Sequence, residues 1–231
     1  MTKSIALGAA IAAALTSGVA SAELTANAAV TNNYIWRGIT QTSDQAAVQG
    51  GVDWGHSSGL YVGTWLSNVD FSGTGDGYEM DVYAGFGGEA GGFAYDLGVL
   101  TYQYPVSPEF NFTEAYISGT FSVITIGLAY TVDAASGNED GVFDKGDMYV
   151  NGSLDFPTGA GDISLYAGTY MFDNDGQPGV GEVDYVHYGA SLSKGDFTFA
   201  VDKNDLDPVI NGASADNVRF TVMWSKGFEL M

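Results

Sequence analysis

The sequence predicts an all-β chain: a closed, antiparallel, up-and-down transmembrane β-barrel of about twelve strands. Three observations predict it. The chain opens on an export leader. Most of the remainder alternates apolar and polar residues with period 2, which is the strand signature. The connections between those segments alternate strictly between short and long.

Residues 1–22 read as a signal peptide. Lys3 supplies the positive start, Ile5 to Leu15 the apolar run, and Ala20-Ser21-Ala22 the small-residue cleavage site. The run falls short of the roughly 20 residues that a spanning helix needs. Residues 23–231 then form the barrel domain, expected in the cell outer membrane of a Gram-negative bacterium.

Twelve segments alternate: 24–36, 46–54, 60–68, 78–86, 93–102, 110–118, 122–131, 148–156, 163–170, 183–192, 197–202 and 217–224. In 78–86 one face reads Tyr78, Met80, Val82, Ala84, Phe86 and the other Glu79, Asp81, Tyr83, Gly85. In 217–224 Val218, Phe220, Val222 and Trp224 oppose Asn217, Arg219, Thr221 and Met223. Short connections fall at 55–59, 87–92, Gly119-Thr120, 157–162 and 193–196. Long ones fall at 37–45, 69–77, 103–109, 132–146, 171–182 and 203–216. Outer-membrane barrels have short periplasmic turns, longer extracellular loops and an even strand number. Lipid cannot satisfy backbone polar groups, so a sheet crosses it only without edges. A soluble β-sandwich also alternates, but it has no reason to alternate its loop lengths or to gather its charges on one strand face.

Composition narrows the function. With 28 acidic against 7 basic residues the net charge is −21, which argues against nucleic acid as a partner. The chain has no cysteine, which closes the routes to a lipoprotein anchor, a disulfide framework and thiolate metal sites. Past the leader no apolar stretch is long enough for a membrane helix.

The stretches NYIWRGITQT (33–42), AVQGGVDW (47–54), GLYVGTWLSNVDF (59–71) and YEMDVYAGF (78–86) occur in this order. Together they resemble Gcw_chp, a proteobacterial family of predicted outer-membrane proteins. Arg37-Gly38-Ile39-Thr40-Gln41-Thr42 is the most specific element. The resemblance implies an exported barrel and no assigned activity.

The inward faces collect Gln49, Asp53, Glu79, Asp81, Asp96, Glu114, Asp155, His187 and Asp202, with Arg37 and Arg219 at the outer end. These are the candidate lumen and vestibule residues. An acidic vestibule with an arginine pair on one wall would favour cations and polar neutral solutes over anions. The alternative is a non-conducting structural or surface-interaction barrel, its lumen plugged by buried ion pairs. Trp36, Trp54 and Trp224 are expected in the aromatic girdles where the wall meets lipid headgroups. The expected partners are outer-membrane lipid, lipopolysaccharide and the barrel-assembly machinery. The terminal aromatic that this machinery reads is present as Phe228, ahead of Glu229-Leu230-Met231.

Enzymatic activity is not expected, and no cofactor is implied. The only histidines are His56, in a short turn, and His187, mid-strand beside Tyr185, where a hydrogen-bonded lumen residue is the simpler reading. Asp173-Asn174-Asp175-Gly176 carries the alternating oxygens of a hard-cation loop, so divalent cations at the acidic loops are a weak candidate, Asp173 and Asp175 in particular. Asp, Asn and Gly are equally what an exposed turn uses.

Overall fold

A computed structural model describes residues 23–71, 76–135, 143–177, 181–207 and 215–231. The predicted signal peptide, 1–22, lies outside the described residues.

The strands are β1 (Glu23–Thr31), β2 (Ile35–Trp36), β3 (Ile39–Thr40), β4 (Ala47–Gly55), β5 (Leu60–Asp70), β6 (Asp76–Ala90), β7 (Phe93–Gln103), β8 (Phe112–Phe121), β9 (Ile124–Ala134), β10 (Met148–Thr158), β11 (Gly161–Met171), β12 (Tyr185–Lys194), β13 (Phe197–Asn204) and β14 (Arg219–Glu229). Twelve of them, all but β2 and β3, form one closed antiparallel barrel. Closure runs through β1, which pairs with β4 from Glu23↔Gly55 to Thr31↔Ala47 and with β14 from Thr25↔Glu229 to Thr31↔Met223. The start of β1 and the end of β14 lie on the short-turn side, where Leu230 N–H donates to Leu24 C=O at 2.8 Å.

The alternation becomes two faces. Outward positions are apolar and open: Val48, Val99, Ile117, Ile126 and Phe220 among them, with Phe220 71% exposed. Inward positions are polar or aromatic and closed: Ser67, Glu79, Glu114, Thr131 and Asp202 are all buried. A soluble domain rarely leaves so continuous an apolar belt uncovered, whereas a membrane-spanning barrel requires one. Trp54 and Trp224 lie on this outer face, and Trp224 stands opposite Phe197 at the short-turn end.

Three expectations about the elements need correction. The first segment does not run to 36. β1 stops at Thr31, and residues 32–46 leave the wall. The third short turn is not Gly119-Thr120 but Ser122-Val123, because β8 continues to Phe121. Gly119 stays in the strand, where its bare face accommodates the Phe93 ring: a Cβ there would lie 2.7 Å from Phe93 Cζ. Gly87 and Gly88 likewise belong to β6 rather than to a turn. The reversal is made by Gly91 (φ 63°) and Gly92 (φ 81°), the positive-φ pair of a type I′ hairpin.

An outward residue at mid-strand tests the membrane assignment. Ile117→Arg should cost about 2–4 kcal/mol in lipid vesicles, the penalty for a cation near a bilayer midplane. Ser118→Arg, facing inward, should cost far less. Urea unfolding in vesicles measures both. A soluble surface would tolerate Ile117→Arg within about 0.5 kcal/mol.

Candidate functional site

The chain that leaves β1 turns into the lumen and makes a second, miniature hairpin. Ile35 pairs with Thr40 and Trp36 with Ile39. The two-residue loop between them is Arg37-Gly38, at φ 48° and 81°. Glycine accepts such a conformation freely, whereas for arginine it is uncommon and is held only by the surroundings. The base of the hairpin is tied by its own polar residues. Gln41 N–H donates to Tyr34 C=O at 2.7 Å, Thr40 Oγ1 to Asn33 Oδ1 at 2.7 Å, and Asn33 Nδ2 to Asp44 Oδ1 at 2.7 Å. Ser43 Oγ donates to Asp70 C=O at 2.9 Å, fastening the segment to β5. The Arg37–Thr42 element is thus an inserted finger with Arg37 at its tip.

Four barrel strands hold that tip. Arg37 Nη1 and Nη2 donate to Glu114 Oε1 and Oε2 on β8 at 2.8 and 2.6 Å, a two-pronged ion pair buried on both sides. The guanidinium carbon lies 4.0 Å from the centroid of the Tyr149 ring on β10, and 4.4 Å from that of Trp36. Tyr149 also meets β12: its hydroxyl and His187 Nε2 are 2.7 Å apart, and the two rings stack at 9°. Asn204 Nδ2 on β13 donates to Gly38 C=O at 2.8 Å. A Cβ on Gly38 would run into His187, its Cγ only 2.9 Å away, so Gly38 is required by space as well as by φ. A β-bulge sits beside the acceptor: Thr113 pairs with Asp133 but Glu114 with Thr131. Bulges re-aim side chains in this way near functional sites.

The other sequence-derived candidates divide into two levels. At the outer level Glu79 accepts from Tyr34 OH at 2.9 Å and Tyr104 OH at 2.8 Å, and Asp81 is buried beside it. Asp202 accepts from Tyr166 OH at 2.7 Å. Arg219 Nε donates to Asp44 at 2.8 Å and its Nη1 to Ala215 C=O at 3.1 Å. At the short-turn level Asp53 accepts from Tyr83 OH, Asp96 from Tyr61 OH at 2.6 Å, and Asp155 from Ser153 Oγ at 2.7 Å, all half-buried. Gln49, near the outer end of β4, reaches Ser67 Oγ through Nε2 at 3.4 Å.

Two placements differ from expectation. Trp36 is not in a girdle: it is 4% exposed, packed edge-on against Tyr102 and Phe112 inside the lumen. Arg37 and Arg219 do not form a pair on one wall. Each is engaged by its own carboxylate, Glu114 and Asp44. Both differences follow from one cause, the departure of residues 32–46 from the wall. Sequence reading passed over Tyr34, Tyr102, Tyr149, Tyr170 and Phe143, which pack around the finger. One signal was available: a first segment of 24–36 exceeds the roughly 9–11 residues that a barrel strand needs.

At the outer rim the acidic loops use their carboxylates on backbone. Asp175 Oδ1 accepts the N–H groups of Val183 and Asp184, which hold its pKa below the usual range. Asp173 N–H donates to Asp147 Oδ1 at 2.9 Å, and Asp144 N–H to Asp147 Oδ2 at 2.8 Å. Among the described residues no group of three or more His, Asp or Glu side chains is arranged to hold a metal. Burial pushes the Asp147 carboxyl up to about 6, against the opposing pull of those two N–H groups.

Two measurements test these assignments. Removing one member of a buried pair costs about 3–5 kcal/mol, so Arg37→Met and Glu114→Gln should each lose that much. The double variant should lose clearly less than the sum, and strict additivity would refute the contact. For Asp147, a folded pKa near 6 against 3.8 means the folded state binds the proton more tightly. The contribution of Asp147 to stability should therefore fall as pH rises from 3.8 through about 6 and be flat above. Hydrogen exchange in residues 143–149 should show this loss of protection, and Asp147→Asn should abolish the pH dependence.

Overlaid on solved structures, the chain matches the KdgM porin at TM-score 0.54 and 9% identity, covering 90% of this chain and 99% of that one. It matches a chain from work on in-meso crystallisation of membrane proteins at TM-score 0.56 and 8% identity, covering 90% and 84%. For outer membrane phospholipase A from Escherichia coli the TM-score is 0.45 at 13% identity, covering 90% and 97%. The first two likenesses are of fold, a closed antiparallel β-barrel. No curated protein matches the chain. Residues 15–222 match the family described as a bacterial protein of unknown function (Gcw_chp), and the chain belongs to that family.

Proposed function

We propose that this protein is an outer-membrane barrel of the channel type that rests closed, with residues 32–46 as the closing element. The observation that carries the reading is Arg37: its side chain spans from the β1–β4 connection to Glu114 on β8 and is only 5% exposed. Rings from β7, β8, β10 and β11 pack round its neighbour Trp36, or round the guanidinium itself. An open diffusion pore does not place an aromatic cluster across its lumen.

The half-buried Asp53, Asp96 and Asp155 at the short-turn end give the remaining passage a negative wall. Once the finger moves, that wall favours cations and polar neutral solutes over anions. Export through a cleaved leader, insertion by the barrel-assembly machinery and contact with lipid and lipopolysaccharide complete the proposal. Catalysis has no part in it: His187 faces Tyr149 and the finger. The tight packing of the finger also favours a second reading, a permanently plugged structural barrel.

Planar-bilayer recording separates these. Wild-type protein should be closed most of the time. Replacing residues 35–40 by a Gly-Ser linker of equal length should give stepwise, cation-preferring conductance. Steady conductance from the wild type overturns the closed state. A folded linker variant that never conducts leaves the structural barrel, and anion preference removes the selectivity argument.

A further inference from the structure

Glu114 and the rings around it enclose a planar cation, the guanidinium of Arg37. Glu114 presents both oxygens to the two terminal nitrogens of Arg37, at 2.8 and 2.6 Å. This is the end-on fork that suits guanidinium and that no ammonium reproduces. Tyr102 OH donates to the same carboxylate at 3.3 Å and holds it in place. Tyr149, Trp36 and Tyr170 lie at 4.0, 4.4 and 5.1 Å from the guanidinium carbon, positions that favour a flat delocalised cation in a desolvated site. Arg37 Nε is buried without a hydrogen-bond partner. The hydrogen bonding therefore rests on the two terminal nitrogens alone. A free solute ending in a guanidinium group can make the contacts that Arg37 makes with the barrel wall, to Glu114, Tyr102, Tyr149 and Tyr170.

We infer that the lumen contains a guanidinium-binding site on Glu114, Tyr102, Tyr149 and Tyr170, occupied in the closed barrel by Arg37, and that solutes bearing a guanidinium or amidinium group compete with Arg37 for it. The inference deepens the closed-channel reading by naming the class of solute that would release the finger. A tethered side chain acts at an effective concentration in the millimolar range, so the wild type should respond only to solute well above that.

The test uses the full-length barrel in detergent micelles, with methylguanidinium chloride as probe and methylammonium chloride at equal ionic strength as control. In Arg37→Ala, methylguanidinium at about tenfold its dissociation constant should raise the unfolding midpoint by about 3–6 °C. Methylammonium should not raise it, and Arg37→Ala combined with Glu114→Gln should respond to neither salt. Equal responses to the two salts, or a response that survives Glu114→Gln, overturn the site. Should Arg37→Ala fail to fold, Arg37→Lys keeps a cation in place but cannot form the fork. Methylguanidinium should then displace the lysine and stabilise that variant selectively, and no selective response overturns the site equally. The readout does not depend on conductance. A barrel that never opens can still show the selective shift, and an Arg37→Ala barrel that conducts without the shift keeps the closing element and loses the binding site.

Discussion

The pairing of β1 with both β4 and β14 leaves the barrel wall no free edge, and the remaining features follow from that closure. In lipid an unpaired N–H or C=O costs several kcal/mol with no water to offset it. A ring of antiparallel strands removes that cost, and it also divides every strand into an outward and an inward row. The outward row is Val, Ile, Leu and Phe at high exposure. The inward row carries nearly all of the polar chemistry in the wall.

Closure creates a second problem inside. Twelve strands enclose more space than the side chains of a small barrel fill and less than a wide porin leaves open. Here the inner face answers with large tyrosines that reach across and donate to carboxylates: Tyr61 to Asp96, Tyr83 to Asp53, Tyr104 to Glu79, Tyr166 to Asp202. Glycines opposite them supply the room. A Cβ on Gly189 would lie 2.6 Å from the Tyr166 ring, and one on Gly85 would run into Tyr61 OH. These four carboxylates thereby keep a donor without a second ion.

The Arg37 finger fills the outer half of the lumen, and electrostatics bear on the proposed closure. A buried ion pair forfeits much of its Coulomb gain to desolvation. The Arg37–Glu114 pair is therefore better suited to specifying where the finger goes than to adding stability. The same pair links the proposed gate to the proposed solute, because whatever competes for Glu114 also competes with the plug.

The period-2 pattern and the alternating connection lengths determined the architecture. Strand alternation is a local property set by which face meets lipid, and loop length is written directly in the chain. That is why twelve strands, their order and the inward position of residues such as Glu79, Glu114 and His187 were legible. The course of residues 32–46 was not. Asn33–Thr42 reads as strand followed by loop, and the apolar Ile35 and Trp36 suit a lipid-facing end as well as a buried one. What turns them inward is a carboxylate 77 residues away on β8, with tyrosines on β7, β10 and β11, none of them a neighbour before the barrel closes. The sequence by itself determined a barrel with a polar interior. Only the tertiary structure decided that the interior is occupied, because occupancy depends on contacts that exist only once β1 has met β14.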